Sequence, residues 1–235
     1  MASEVSPGSA AQVPGGSGQP RRGLGPMFVL AVVLLLGIIG GLSFAFVNGP
    51  GKPTLPAGAQ QSAAGDGFFG TLALPAKPAP PIDLRNYLGQ PVTLAEYRGK
   101  AVLVTFLYTN CPEICPLITS NLRVALNQLG AERAKVQIIA VSVDPRGDTP
   151  ATVARFLQAH EMAGSMQYLV GSAAQLSRTW AAWSVGSARE AGQPDLIAHS
   201  ALVYGITASG RLKTIYPATF EPSQIVHDVP KLASQ

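Results

Sequence analysis

The chain has 235 residues, with 17 Lys+Arg against 13 Asp+Glu, a net charge of +4 and only 13% charged residues. A soluble domain carries about a quarter, so these averages, with 47% hydrophobic residues beside 25 Gly and 20 Pro, exclude a wholly disordered chain, a coiled coil and a polytopic membrane protein. Two cysteines exclude a disulfide-framework miniprotein and a four-thiolate zinc site, and the lack of a Lys/Arg run argues against nucleic-acid binding.

Residues 1–26 hold six Gly, four Pro and four Ser without apolar periodicity, the composition of a disordered leader. Residues 27–47 follow as 21 uncharged residues. As a helix they would extend about 31 Å, the thickness of a bilayer's hydrocarbon core. Arg21 and Arg22 flank the start, so the positive-inside rule predicts a single-pass anchor with a cytoplasmic N-terminus and everything after residue 47 exported. Residues 48–70 contain six Gly and three Pro and read as a flexible tether. Residues 71–235 carry a net charge of +3 without a patch and form one domain. The leader lacks an amphipathic basic helix, which points to a bacterial plasma membrane rather than a mitochondrion.

Within that domain, Ala101–Tyr108 is a continuous apolar run, the pattern of a strand buried on both faces. Pro116 suits a helix's first turn, apolar residues from Ile118 to Leu129 follow at helical spacing, and Gly130 supplies a stop. Val136–Val143 reads as a second buried strand, and Thr149-Pro150 opens another helix. Tyr168–Val170 is a short strand; Ser172 and Gln175 form a capping box for a helix through Trp183. Ala201–Ile206 and Leu212–Tyr216 flank Ser209-Gly210 as a hairpin, and Pro222 starts a last helix ending near Leu232. This order predicts an α/β domain: a thioredoxin-like mixed sheet with helices on both faces and a terminal β-hairpin, preceded by one transmembrane helix.

Cys111 and Cys115 sit just past the first buried strand, at the mouth of a helix. The positive end of a helix favours thiolate. Residues four apart there stand close enough for a disulfide or for holding one ion. The pair can therefore be a dithiol, a disulfide or a chelate. A bridge across so short a loop constrains the unfolded chain little and makes a poor staple.

Of the three histidines, His160 ends a helix, where a cation suits the dipole, and His227 is expected on the surface of the last helix; neither is given a role. His199 differs, because it follows the loop Gly192-Gln193-Pro194-Asp195 and precedes the strand Ala201–Ile206, whose start lies beside the Cys loop in a thioredoxin-like fold. Two thiolates and one imidazole suit a soft ion: thiolates select Cu(I), imidazole also serves Cu(II), and zinc would keep an open position. The segment Asp144–Pro150 follows the second strand at the same sheet edge, where ligands gather in open α/β sheets. Asp148 and Thr149 are expected to cap the following helix, and Asp144 to face the Cys loop.

Tyr108–Pro116, the Asp144-Pro145 segment and His199–Tyr204, in this order and at these separations, resemble the Sco/SenC family over about residues 80–232. These are membrane-anchored, thioredoxin-fold copper proteins needed to build the binuclear copper centre of cytochrome c oxidase. The resemblance implies that Cys111, Cys115 and His199 are copper ligands, with Asp144 a supporting acid. It implies a metallochaperone whose partners are the copper-binding subunit of the oxidase and other periplasmic copper or thiol-redox proteins. One departure is visible: Gly147 holds the position of the family's usual Arg, with Arg146 before it. The competing function is a membrane-tethered thiol–disulfide oxidoreductase in which Cys111 attacks and Cys115 resolves. A peroxiredoxin-like peroxidase is excluded, because position 108 is Tyr where that nucleophile motif needs Thr.

Overall fold

The computed structural model describes residues 67–70, 72–190 and 192–235. The expected leader, the anchor at 27–47 and the tether up to residue 66 lie outside the described residues. Among the described residues no helix is long and apolar enough to cross a membrane.

The centre of the sheet is built from the two apolar runs. β4 (Ala101–Leu107) is buried at every residue and lies parallel to β5 (Val136–Ser142), in register from Ala101↔Val136 to Leu107↔Ser142. Burial of successive residues requires cover on both faces. β6 (Met166–Val170) pairs parallel to β5 on one side. On the other side β9 (Leu202–Ile206) and β10 (Arg211–Pro217) form the expected terminal hairpin, with β9 antiparallel to β4. The chain's first strands complete the edges: β1 (Leu72–Pro78) lies on β10, while β2 (Asp83–Asn86) and β3 (Pro91–Thr93) extend the sheet beyond β6. The resulting order is β1-β10-β9-β4-β5-β6-β2-β3.

Helix α1 (Ile114–Gln128) follows β4 and packs against α4 (Pro222–Ala233). Helix α2 (Pro150–Ala159) follows β5, with Pro150 at its first position and Thr149 Oγ1 accepting from the Thr152 amide. Helix α3 (Ala173–Ala182) has the expected Ser172/Gln175 capping box, and its Trp180 indole donates to the Ser142 carbonyl.

Three features differ from expectation. The expected loop at residues 192–195 is in large part strand: β8 (Gln193–His199) pairs with β7 (Ser187–Glu190) as a separate two-stranded hairpin with His199 at its end. The end of the expected tether is docked, since Phe68 is buried, and the amides of Phe69 and Gly70 donate to the Asp228 carboxylate at 2.9 Å. His227 is accordingly half-buried, stacked on Phe69 with ring centroids 3.7 Å apart. Its Nδ1 bonds Asp228 Oδ1 at 2.7 Å, and Lys231 Nζ reaches its Nε2 at 3.1 Å.

Candidate metal centre

The Cys loop begins where β4 ends. The Cys111 amide donates to the Tyr108 carbonyl at 3.3 Å, closing a turn that leads into α1. Glu113, the residue before the helix, has φ −135° and ψ −58° and makes no side-chain cap. Its place is taken by sulfur, because the Cys115 amide donates to Cys111 Sγ at 3.3 Å. Cys111 thus occupies the anion position at a helix N-terminus, where unpaired amides and the helix dipole favour negative charge.

Both cysteines are free thiols, with Cys111 8% exposed and Cys115 wholly buried. They titrate in opposite directions. The side-chain hydrogen bond from Cys115 holds Cys111 well below the ordinary thiol range, helped by His199 and by the Cys115 and Glu113 amides and opposed by burial. The same hydrogen bond, with burial, pushes Cys115 far up. The pair is a reachable thiolate beside a buried thiol.

His199 closes the constellation. Its Nδ1 lies 3.3 Å from the Ser200 carbonyl. Its Nε2 lies 3.7 Å from Cys115 Sγ. An ion bound at about 2.3 Å from sulfur and about 2.0 Å from imidazole nitrogen, at a tetrahedral angle, would set those atoms about 3.5 Å apart. Among the described residues no group of three or more His, Cys, Asp and Glu side chains is already spread around one metal position. Here Cys111 Sγ accepts the Cys115 amide, and Cys115 Sγ lies against His199 Nε2. Two sulfurs with one imidazole are the donor set that suits copper. A cleft of about 310 Å³ between the Cys loop and β8 opens onto Cys111 and His199.

The two acids after β5 behave differently from expectation. Asp144 is buried, and its carboxylate takes Arg189 of β7 at 2.7 Å and the Arg146 amide at 3.2 Å. Asp148, expected as a cap, points inward: it accepts from the Thr109 amide at 2.8 Å, Ser142 Oγ at 2.6 Å and Tyr168 OH at 2.9 Å. Thr149 alone caps α2. A Cβ on Gly147 would overlap Asp144 Oδ2, so the glycine makes room for the Asp144–Arg189 pair. Sequence reasoning missed Arg189 and the inward role of Asp148; the Thr109 amide and the Tyr168 hydroxyl that donate to Asp148 lie 39 and 20 residues from it in sequence.

Residues 73–234 match the SCO1/SenC family, well over half of the chain. The chain belongs to the SCO1/SenC family. Among its SCO1/SenC relatives is the mitochondrial protein SCO2 homolog of Bos taurus, 30% identical over 175 residues, covering 72% of this chain and 60% of that protein. Two solved SCO1/SenC structures share the fold. The copper-bound ScoI of Bradyrhizobium japonicum is 27% identical with a TM-score of 0.60, covering 66% of this chain and 99% of that one. The apo Sco1 of Thermus thermophilus is 30% identical with a TM-score of 0.61, covering 70% and 96%.

Proposed function

We propose that this chain is a membrane-anchored copper chaperone that delivers copper to the binuclear centre of cytochrome c oxidase during assembly. Cys111, Cys115 and His199 hold the ion, as Cu(I) or Cu(II). Residues 27–47 anchor the chain in a bacterial plasma membrane with the domain on the exported side, where the oxidase's copper-binding subunit and other periplasmic copper proteins are its partners.

The observation that carries this reading is the approach of His199 Nε2 to within 3.7 Å of Cys115 Sγ, beside a thiolate at Cys111. Membership of the SCO1/SenC family and likeness to a copper-bound ScoI support it. Three protein donors at a cleft leave the ion open to ligand exchange with an acceptor, which is what delivery requires. Asp144, through Arg189, ties the β7–β8 hairpin that bears His199 to the loop after β5, and so acts as a supporting acid at one remove from the ion.

The test is an anaerobic copper titration of the reduced full-length protein against a competing chelator, followed by transfer to the metal-free oxidase subunit. One copper per chain is expected, weakened at least a hundredfold by His199→Ala and by Cys115→Ser. Loose, non-stoichiometric copper indifferent to His199 would overturn the reading.

The asymmetry of the two thiols favours one further activity at the same residues. The Cys111 thiolate attacks a partner disulfide and releases one partner thiolate; Cys115 then displaces the mixed disulfide, leaving a Cys111–Cys115 bridge and a reduced partner. His199→Ala separates the two activities, since it removes copper affinity and leaves this exchange largely intact.

A further inference from the structure

A groove of about 530 Å³ lies between α2 and the Cys loop. Thr109 and Asn110, the two residues before Cys111, form one wall. The other is a stripe of α2, where Thr152, Arg155 and Phe156 recur at helical spacing and His160 continues the row past the last turn. At about 1.5 Å per residue the stripe is about 12 Å long.

The acids beside these residues are already committed. Asp144 holds Arg189, Glu161 holds Arg123 at 2.5 Å, and Asp148 is turned inward onto its three donors. Arg155 stands exposed on the groove wall, without an ion-pair partner among the described residues. Asn110 is exposed as well, and its side chain makes no hydrogen bond among the described residues. The His160 ring leans on Phe156, with centroids 4.5 Å apart. Burial alone pushes its imidazole below the ordinary histidine value, as for a ring that no carboxylate meets. The groove therefore presents one positive charge without a counter-ion and two uncommitted polar side chains.

This is the complement of a carboxylate, which a guanidinium can take at two points. A free anion facing one exposed guanidinium is held weakly, because water and salt screen it. A chain segment can use the whole stripe, and one end of it then lies beside the residues that lead into Cys111.

We propose that this groove docks an acidic segment of the copper-accepting protein, whose carboxylate pairs with Arg155 while Asn110 and His160 add hydrogen bonds. Docking there sets the acceptor's own metal-binding side chains beside the Cys loop. That the docked protein is the copper acceptor rests on the copper-carrier reading; the groove's preference for carboxylate stands apart from it.

The test follows the Asn110 side-chain amide of the reduced full-length protein, in detergent, by nuclear magnetic resonance. The probes are a blocked four-residue peptide with two central glutamates, its counterpart with two lysines, and glutarate. The glutamate peptide should shift the amide saturably and the lysine peptide should not, and Arg155→Glu should reverse that preference. Binding of the metal-free oxidase subunit should weaken about tenfold in Arg155→Glu and about threefold in Arg155→Lys, which keeps the charge and loses the two-point geometry. A merely structural role for Arg155 would lower the unfolding midpoint and leave the peptide preference in place. The groove is overturned by a glutamate peptide that gives no saturable shift, or one equally strong in Arg155→Glu. Glutarate binding as tightly as the peptide would make this a small-anion site and overturn docking. Should the peptide bind through Arg155 while the oxidase subunit does not bind, the copper-acceptor reading fails and the carboxylate preference stands. Subunit binding that is equal in the parent and Arg155→Glu overturns docking in the groove and leaves the copper reading intact.

Discussion

The Asp148 carboxylate takes the Thr109 amide proton at 2.8 Å, joining the turn that carries the cysteines to the loop after β5. Its other oxygen receives Ser142 Oγ and Tyr168 OH, so a buried anion is held by three donors without a cation among them. Four consequences of this and related contacts can be measured.

Asp148→Ala orphans three buried donors and should cost about 2–4 kcal/mol in urea unfolding. Burial raises the Asp148 carboxyl above its ordinary value, against the pull of its hydrogen bonds. The folded state therefore keeps a proton that the unfolded chain has already lost. This contribution is fully present below the ordinary aspartate range and declines as pH rises through the raised folded value. Asp148→Asn should flatten that slope; an unchanged slope would assign it to another group.

Cys111 should react with iodoacetamide at a rate nearly constant from pH 8 to pH 6, since it remains thiolate there. Buried Cys115 should react at least tenfold more slowly, as read by peptide mass spectrometry. Cys115→Ala removes the main cause of the lowered Cys111 value, so its rate at pH 6 should fall about tenfold while its rate at pH 9 holds. Equal pH profiles in parent and variant would refute the pairing of the two sulfurs.

Gly147→Ala places a methyl group where Asp144 Oδ2 lies and should cost about 1–3 kcal/mol. The loss passes through the Asp144–Arg189 pair, so Arg189→Ala and Gly147→Ala should be non-additive in a double-mutant cycle. Strict additivity would mean that the glycine serves something else.

Asp228→Ala should release residues 67–70 from the domain. The wholly buried carboxylate holds the amides of Phe69 and Gly70 and the Tyr216 hydroxyl, and its loss should cost about 3 kcal/mol. Amide exchange at Phe69 and Gly70 should then rise toward that of an open chain, while the exchange of β4 stays slow. Persistent protection at Gly70 would show that the Phe69–His227 stack alone docks the segment.

Much of the core was legible because its signals are local. Ala101–Leu107, apolar but for Thr105, can satisfy its surroundings only as a strand covered on both sides, and Thr149-Pro150 can do little but open a helix. The first strands were less visible: β2 and β3 span only four and three residues and gain their stability from pairing rather than from pattern. Residues 192–195 read as loop for the same reason: β7 and the start of β8 carry no apolar run, and the ribbon is held by its pairing and by the buried Ile197.

The sequence by itself determined the chemistry on offer: two cysteines at a helix mouth, one histidine before the terminal hairpin, and a chain order that brings both to the carboxyl edge of one sheet. Tertiary structure decided which groups serve that chemistry. Asp148 and His199 meet the Cys loop across long stretches of chain, and no local rule links an aspartate's charge to an amide 39 residues away. Burial then selects the outcome, because a carboxylate taken from water must find donors wherever the fold presents them. Asp148 found Thr109, Ser142 and Tyr168, whereas Asp144, four residues earlier, found Arg189.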